Sequence, residues 1–323
     1  MNDIAIPERL VRSEYLGSSD AAAILGLSKW KTPLDVWRAK VFPDAVEDEA
    51  PADRSKILRR GKLMEPVIRQ MAIDDYGLTL YATNRRHEDE DYPWMRAEVD
   101  FETLDEGGAV VNNECKSVSP FAASQWGDED TDEVPIEYHA QVQFALMVTG
   151  AQVERCDVWA LFGSDKLVRY RIYRDEETIA GMRARCVEFW HEHVLAKRAP
   201  APVTLDDVEF LMGRKRGRPV IANPDQVDLV MQYRDAKHQI KQLEERAEEL
   251  KLVIVGHLLA GAGDDLSEQD AAILLDGAGK PLLTWKPQSS SRIDVAALRK
   301  ARPEVADEFT TISTSRVLRL AKA

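Results

Sequence analysis

The chain is short of the features that would make classification easy. Among 323 residues it has three cysteines, Cys115, Cys156 and Cys186, with no CxxC pair and no Cys/His cluster. An odd, scattered set argues against a disulfide framework and offers no zinc-type spacing, so a reducing cytoplasm is the expected compartment. No run of about 18 uninterrupted apolar residues occurs. The N-terminus, Met1-Asn2-Asp3-Ile4, lacks the basic-then-apolar order of an export signal. Neither secretion nor membrane insertion is expected. Positive charge is also scarce, with 43 Lys+Arg against 56 Asp+Glu and a net charge of −13. Taken whole, that balance speaks against a phosphate-rich partner, because phosphate binding is driven by Lys and Arg.

Resolved by position, the shortage is local. Residues 1–212 hold 25 basic and 40 acidic side chains, whereas residues 213–323 hold 18 and 16. The acids are clumped at Asp44 to Asp53, at His87 to Asp91 and at Gly127 to Glu133, runs that read as solvated loops. Between them Arg54 to Lys62 carries five basic residues and no acid, so one face can be positive although the sum is negative.

Periodicity gives a coarse organisation. Ser19-Asp20 before Ala21 to Leu25, with Gly26 following, reads as an N-cap, a short helix and a C-terminal glycine. Thr32-Pro33 opens a second helix. A third is expected from Gly61 to Tyr76, stopping at Gly77. The period then changes. Residues 96–104 and 109–117 read as a hairpin across Asp105 to Gly108, and residues 156–162 and 167–173 as another. Helices are expected over 136–149 and 176–197, before the linker Ala199-Pro200-Ala201-Pro202. The pattern is that of a mixed sheet flanked by helices, an α/β fold of α+β type. Beyond the linker, Tyr233, Ala236, Ile240, Leu243, Ala247, Leu250, Ile254 and His257 recur at alternating spacings of three and four, the seam of a coiled coil. A hairpin over 271–285, a short helix over 295–302 and a last strand over 316–320 complete a small α+β module.

The first hairpin carries the most chemistry. Side chains alternate along a strand, so Glu114 and Lys116 share a face while Cys115 points away, and the hairpin brings Asp100 beside them. Two carboxylates and an ammonium on one face suit a hard divalent cation and a lysine near a nucleophile. A salt bridge across the hairpin is the plain structural alternative. Val99 and Phe101 flank Asp100, and Val110-Val111 lead into Glu114, so these charges sit in apolar-patterned strands where an unpaired charge is costly. Glu65 precedes Pro66, which is expected to end or restart the helix and leave Glu65 near a terminus. Gln141 and Gln143 share the helix Tyr138-His139-Ala140-Gln141-Val142-Gln143, where amides serve either the backbone or a phosphate.

Leu16-Gly17-Ser18-Ser19-Asp20-Ala21-Ala22-Ala23-Ile24-Leu25-Gly26, Trp30 to Pro33, Gly61 to Pro66, Asp100, Glu114-Cys115-Lys116 and Tyr138 to Gln143, in this order, resemble the YqaJ-type viral recombinases. These are phage exonucleases of the PD-(D/E)XK nuclease superfamily, and the resemblance spans about residues 12–195. It implies a restriction-endonuclease-like core over 1–198, a linker over 199–222 and a C-terminal module over 223–323. It also implies that Asp100, Glu114 and the Cys115 main-chain carbonyl hold magnesium, with manganese as a substitute. Lys116 would position or activate the attacking water, Glu65 would support a second metal or its waters, and Gln141 would lie near the scissile phosphate. Arg12 and Ser19 match a 5′-phosphate pocket. The chain reads Gly-Ser-Ser where the family more often has Gly-Gly-Ser, and Glu98 stands two positions before Asp100 where relatives carry a small polar residue.

The implied activity is a metal-dependent 5′→3′ exonuclease on double-stranded DNA ends, leaving 3′ single-stranded tails. Its implied partner is a single-strand annealing protein, and its implied assembly a ring-shaped homo-oligomer, with a trimer as one form. An endonuclease or nickase on the same fold is the nearest rival, and a non-catalytic DNA-end scaffold a more distant one. Arg214, Arg216 and Arg218, within Gly213 to Pro219, resemble an AT-hook core for the A·T minor groove, against the alternative of a solvated basic linker.

Overall fold

The computed structural model describes residues 12–43, 52–212, 220–262, 272–286 and 288–311, with Leu318 and Leu320. Arg214, Arg216 and Arg218, most of the acidic stretch 44–53 and most of the expected strand over 316–320 lie outside the described residues. The backbone divides into two compact units, Met1–Gly213 and Arg214–Ala323. Among the described residues no helix is long and apolar enough to cross a membrane.

The first unit opens with a 3-10 turn, Arg12–Glu14, then β1 (Leu16–Gly17), α1 (Ser18–Ile24) and α2 (Pro33–Val41). Thr32 caps α2 through a reciprocal pair with Asp35, and Pro33 follows where its missing N–H matters least. Then come α3 (Ala52–Tyr76), β2 (Thr79–Glu88), β3 (Met95–Leu104), β4 (Val110–Val118), α4 (Ile136–Thr149), β5 (Arg155–Phe162) and β6 (Lys166–Tyr173). Last are α5 (Glu176–Phe189), continued by a π-helical turn over Trp190–Leu195, and α6 (Leu205–Met212). The sheet runs β1-β3-β4-β5-β6, with β2 also on β3. Strand β4 lies antiparallel to β3 and parallel to β5, while β5 and β6 form an antiparallel hairpin, so the sheet is mixed as expected.

Alternation along the strands builds two cores. Phe101, Cys115, Trp159 and Leu161 pack under Ile68 and Ala72 of α3. On the other side Val118, Val158 and Ala160 join Trp37, Phe144, Leu146 and Trp190 in the larger core. Trp159 is fully buried, and its indole N–H donates to Asn113 Oδ1 at 2.8 Å, so its one polar atom is satisfied.

Four expectations change. Helix α3 begins nine residues before Gly61 and runs through Pro66, so Glu65 lies inside the helix and not near its end. Packing of Ile68 and Ala72 against the sheet outweighs the local cost of the proline. Strand β2 was not visible as a strand, because it lies along β3 with nearly every residue exposed and so lacks apolar alternation. The run 87–91 is not a solvated loop throughout: His87 and Glu88 end β2, while Asp89 is buried and receives Arg183 Nη1 at 2.7 Å. Within the segment read as a linker, α6 sits on the first unit, Thr32 Oγ1 donating to Asp207 Oδ1 at 2.8 Å.

The second unit holds the 39-residue helix α7 (Pro224–Ala262), the hairpin β7 (Ala272–Leu275) with β8 (Pro281–Trp285), and the short helices α8 (Val295–Ala301) and α9 (Pro303–Glu308). Tyr233, Ile240, Leu243, Leu250 and Ile254 of the heptad seam are all exposed on α7.

Candidate active site

The β3–β4 ladder ends at the pair Phe101↔Asn113, and the next residues along the two strands are Asp100 and Glu114. The two strands are not paired beyond that point. The Cys115 main-chain N–H donates to Asp100 Oδ2 at 2.7 Å, so a side chain takes the place that a ladder carbonyl would fill. Cys115 itself turns into the core under α3, and its thiol donates to the Glu65 main-chain oxygen at 3.6 Å. The alternation expected from sequence therefore holds: Cys115 faces one core while Glu114 and Lys116 face the other side.

There Lys116 Nζ donates to Glu114 Oε1 at 2.7 Å and to Gln141 Oε1 at 2.9 Å, and Gln141 Nε2 donates to the same Glu114 oxygen at 2.7 Å. This closed triangle draws two members from β4 and one from α4. The Lys116 ammonium also lies 4.8 Å from the centre of the Tyr138 ring. Gln143, two residues further along α4, is fully buried and serves the backbone instead, donating to Tyr173 O at 2.7 Å and accepting from Asp175 N at 3.2 Å.

Carboxyl groups are in surplus. Burial, then the Glu114 carboxylate, push the Asp100 carboxyl up to about 8. Burial also raises Glu65, on whose charge Lys62, Glu114 and Lys116 all act. Burial works against the charge on Lys116, but Glu114 outweighs it and the ammonium is held above its ordinary value. Among the described residues no group of three or more His, Cys, Asp or Glu side chains stands ready as a metal cage. The donor set is nevertheless one of hard oxygens with buried charge to neutralise, which fits a hard divalent cation at Asp100 and Glu114.

A cavity of about 390 Å³ opens beside this cluster, lined among others by Arg12, Ser19, Arg86, Arg96, Glu98 and Gln141. Arg12 Nη2 donates to Ser19 Oγ at 3.1 Å, and Arg12 Nη1 to the Tyr15 hydroxyl at 3.4 Å. The two residues expected to share an anion pocket are therefore in contact. Arg86 and Arg96 are paired with Glu98 at 3.5 Å and Glu88 at 3.0 Å. No ion pair involves Arg12 among the described residues. Glu98 also lines a second cavity of about 340 Å³ with Lys62, Glu65 and Arg69.

Sequence reasoning missed the support behind this pocket. Asp20 and Lys40 form a buried pair at 2.8 Å, Asp20 Oδ2 also accepts from Gly17 N at 3.2 Å, and Lys40 Nζ donates to the Arg12 main-chain oxygen at 2.8 Å. One signal was available: Lys40 stands three residues after Trp37 on the buried face of α2, where an apolar residue belongs. It also missed Tyr138, whose contact with Lys116 crosses from α4 to β4.

Residues 9–152 match the family model described as the YqaJ-like viral recombinase domain. A Bacillus subtilis (strain 168) protein named uncharacterized protein YqaJ is 28% identical over 301 residues, covering 91% of this chain and 87% of that one. The similarity thus continues beyond the first unit. Among solved structures, an alkaline exonuclease (LHK-Exo) from Laribacter hongkongensis overlaps with 18% identity and a TM-score of 0.46, over 58% of this chain and 91% of that chain. A phage-related exonuclease from Haemophilus somnus 129PT overlaps with 14% identity and a TM-score of 0.42, over 57% and 96%.

Proposed function

We propose that the chain is a metal-dependent 5′→3′ exonuclease that hydrolyses phosphodiester bonds from the ends of double-stranded DNA and leaves 3′ single-stranded tails. The observation that carries this is the position of Gln141: it lines the Arg12–Ser19 cavity and closes the hydrogen-bonded triangle with Glu114 and Lys116. An anion seat and a carboxylate–lysine cluster that share a wall suit a substrate held by a terminal phosphate beside the bond to be cut.

Asp100 and Glu114 would hold the magnesium ion, with manganese as a substitute, and the Cys115 carbonyl and Glu65 would complete or support its shell. When bound, that ion would supply charge for the transition state and a more acidic water. The chain's own residues do the rest. Lys116 and Gln141 present N–H donors toward a phosphate oxygen, and Tyr138 limits the directions in which the Lys116 ammonium can swing. Arg12 and Ser19 hold the terminal phosphate, and Glu98 at the rim repels a backbone that enters out of line.

Linear duplex carrying one 5′-phosphate and a strand-specific label tests this directly. The expected result is stepwise, magnesium-dependent release of nucleotides from the 5′ end, abolished by Asp100→Ala and by Lys116→Ala. Undiminished release from either variant would overturn the site assignment, and cutting of covalently closed circular DNA would replace the exonuclease by an endonuclease. A single-strand annealing partner and a ring-shaped oligomer, with a trimer as one form, belong to the same proposal. Solution mass with and without residues 220–323 tests the assembly.

A further inference from the structure

The cavity that would take the terminal phosphate is shaped from behind by charges that no solvent reaches. Asp20 is 3% exposed and Lys40 is 7% exposed. Taking such a pair out of water is expensive, and a buried ion pair is by itself weak evidence for stability. Its bonding pattern shows another use. Two of the Lys40 donors run to Asp20 Oδ2 and to the Arg12 main-chain oxygen, each at 2.8 Å. Asp20 ties the same carboxylate oxygen to Gly17 N at 3.2 Å. The pair therefore joins α2 to both ends of the segment Arg12–Gly17, whose first residue reaches across to Ser19. The approach is close: a Cβ added at Gly17 would sit 2.9 Å from Arg12 Nη1.

The charge count points the same way. Lys31 lies 3.7 Å from the other Asp20 oxygen, so Lys31 and Lys40 both pair with one carboxylate, and the Arg12 charge also acts on it. Burial opposes ionisation of Asp20, but Lys40 and Arg12 outweigh it and hold the carboxyl below its ordinary value.

We infer that Lys40 is a positioning residue for the anion pocket: its ammonium, clamped between the Asp20 carboxylate and the Arg12 main-chain carbonyl, fixes the Arg12 guanidinium over Ser19. A phosphorylated strand end is thereby favoured over a hydroxyl end. Lys40 touches neither substrate nor the cluster around Glu114, so its effect appears in the capture of the end and not in the bond-breaking step. This rests on reading the cavity as the seat of the 5′-phosphate.

The experiment compares kcat and KM on matched duplexes ending in 5′-phosphate or 5′-hydroxyl, with melting temperature recorded for every variant. Four proteins are used: wild type, Arg12→Ala, Lys40→Met, and Lys40→Met combined with Asp20→Asn. The single Lys40 variant leaves a buried carboxylate uncompensated and is destabilised. The double variant removes that charge, keeps an acceptor for Gly17 N and restores the fold. The expected result is that the double variant melts near wild type yet loses the preference for phosphate by about tenfold, the size of one charge-assisted hydrogen bond. The loss is expected in KM, with kcat on the hydroxyl end unchanged. Recovery of both stability and phosphate preference in the double variant would overturn the inference, since Lys40 would then be only structural. If Arg12→Ala leaves the preference intact, it is the reading of the cavity that fails. If Arg12→Ala removes the preference and the double variant keeps it, only the role of Lys40 fails.

Discussion

Two lysine–carboxylate pairs each bond to residues that line the cavity, one through Gln141 and the other through Arg12 and Gly17, and they are nearly the same length. Lys116 meets Glu114 at 2.7 Å and Lys40 meets Asp20 at 2.8 Å. Their surroundings are opposite. Around Lys116 the carboxyl groups of Glu114, Asp100 and Glu65 outnumber the ammonium, and Lys116 is held above its ordinary pKa. Around Asp20 three cations outnumber the carboxylate, and burial brings Lys40 below its ordinary pKa even though Asp20 opposes the fall. A pair distance therefore says little about purpose. The sign of the surplus says more: a negative excess calls for a cation and a positive excess for an anion.

The sharpest way to break this contrast is to take a member out of the cluster around Lys116. Asp100→Ala and Lys116→Ala are each expected to lower nuclease activity by about a thousandfold or more, as loss of groups acting on transition-state charge does. Quantifying nucleotide release under saturating magnesium checks it. Stripping divalent ions with a chelator is expected to be as severe and fully reversible on adding magnesium, whereas a protein needing no cation would be indifferent.

On the other side, Lys40→Met is expected to destabilise the first unit by about 3–5 kcal/mol, because it strands a buried carboxylate. Denaturant midpoints report this, and a change under about 1 kcal/mol would mean that Asp20 finds other compensation from Arg12 and Lys31. Gln141→Leu touches both sides, removing the link to Glu114 and Lys116 and one wall of the cavity. Its expected cost is about ten- to a hundredfold in kcat, with no change in fold by circular dichroism.

The smallest effect concerns pH. Asp20 is held below its ordinary value of 3.8, so its contribution to stability is complete above that value and is lost as pH falls through the lower folded value. Asp20→Asn is therefore expected to flatten the acid limb of the stability profile while leaving the neutral region's slope unchanged. Superimposable acid limbs in the two proteins would show that the pair carries no such linkage.

Much of the fold was legible because it depends on neighbours in sequence. Gly26 marked the end of α1, Thr32 and Pro33 marked the start of α2, and the period of two marked β3 to β6; the cap of α1 is Gly17, backed by Asp20, and not Ser19, which lies inside the helix. What stayed hidden was decided at longer range. Strand β2 is held by pairing to β3, α3 continues through Pro66 because its apolar residues find the sheet, and the roles of Gln141 and Gln143 differ only through what faces them.

The site divides in the same way. By itself the sequence determined that Glu114 and Lys116 share a face and that Cys115 opposes them, since side-chain alternation follows from the pleat of any strand. It also carried the order of motifs that resembles the YqaJ-type recombinases. Only the tertiary structure decided that the β3–β4 ladder ends beside Asp100, that α4 lays Gln141 across Glu114 and Lys116, and that Lys40 reaches Asp20 and Arg12. The reason is physical: a pleat is written by adjacent peptide units, whereas a contact between residues 20 or more positions apart exists only once the sheet order and helix packing have brought them together.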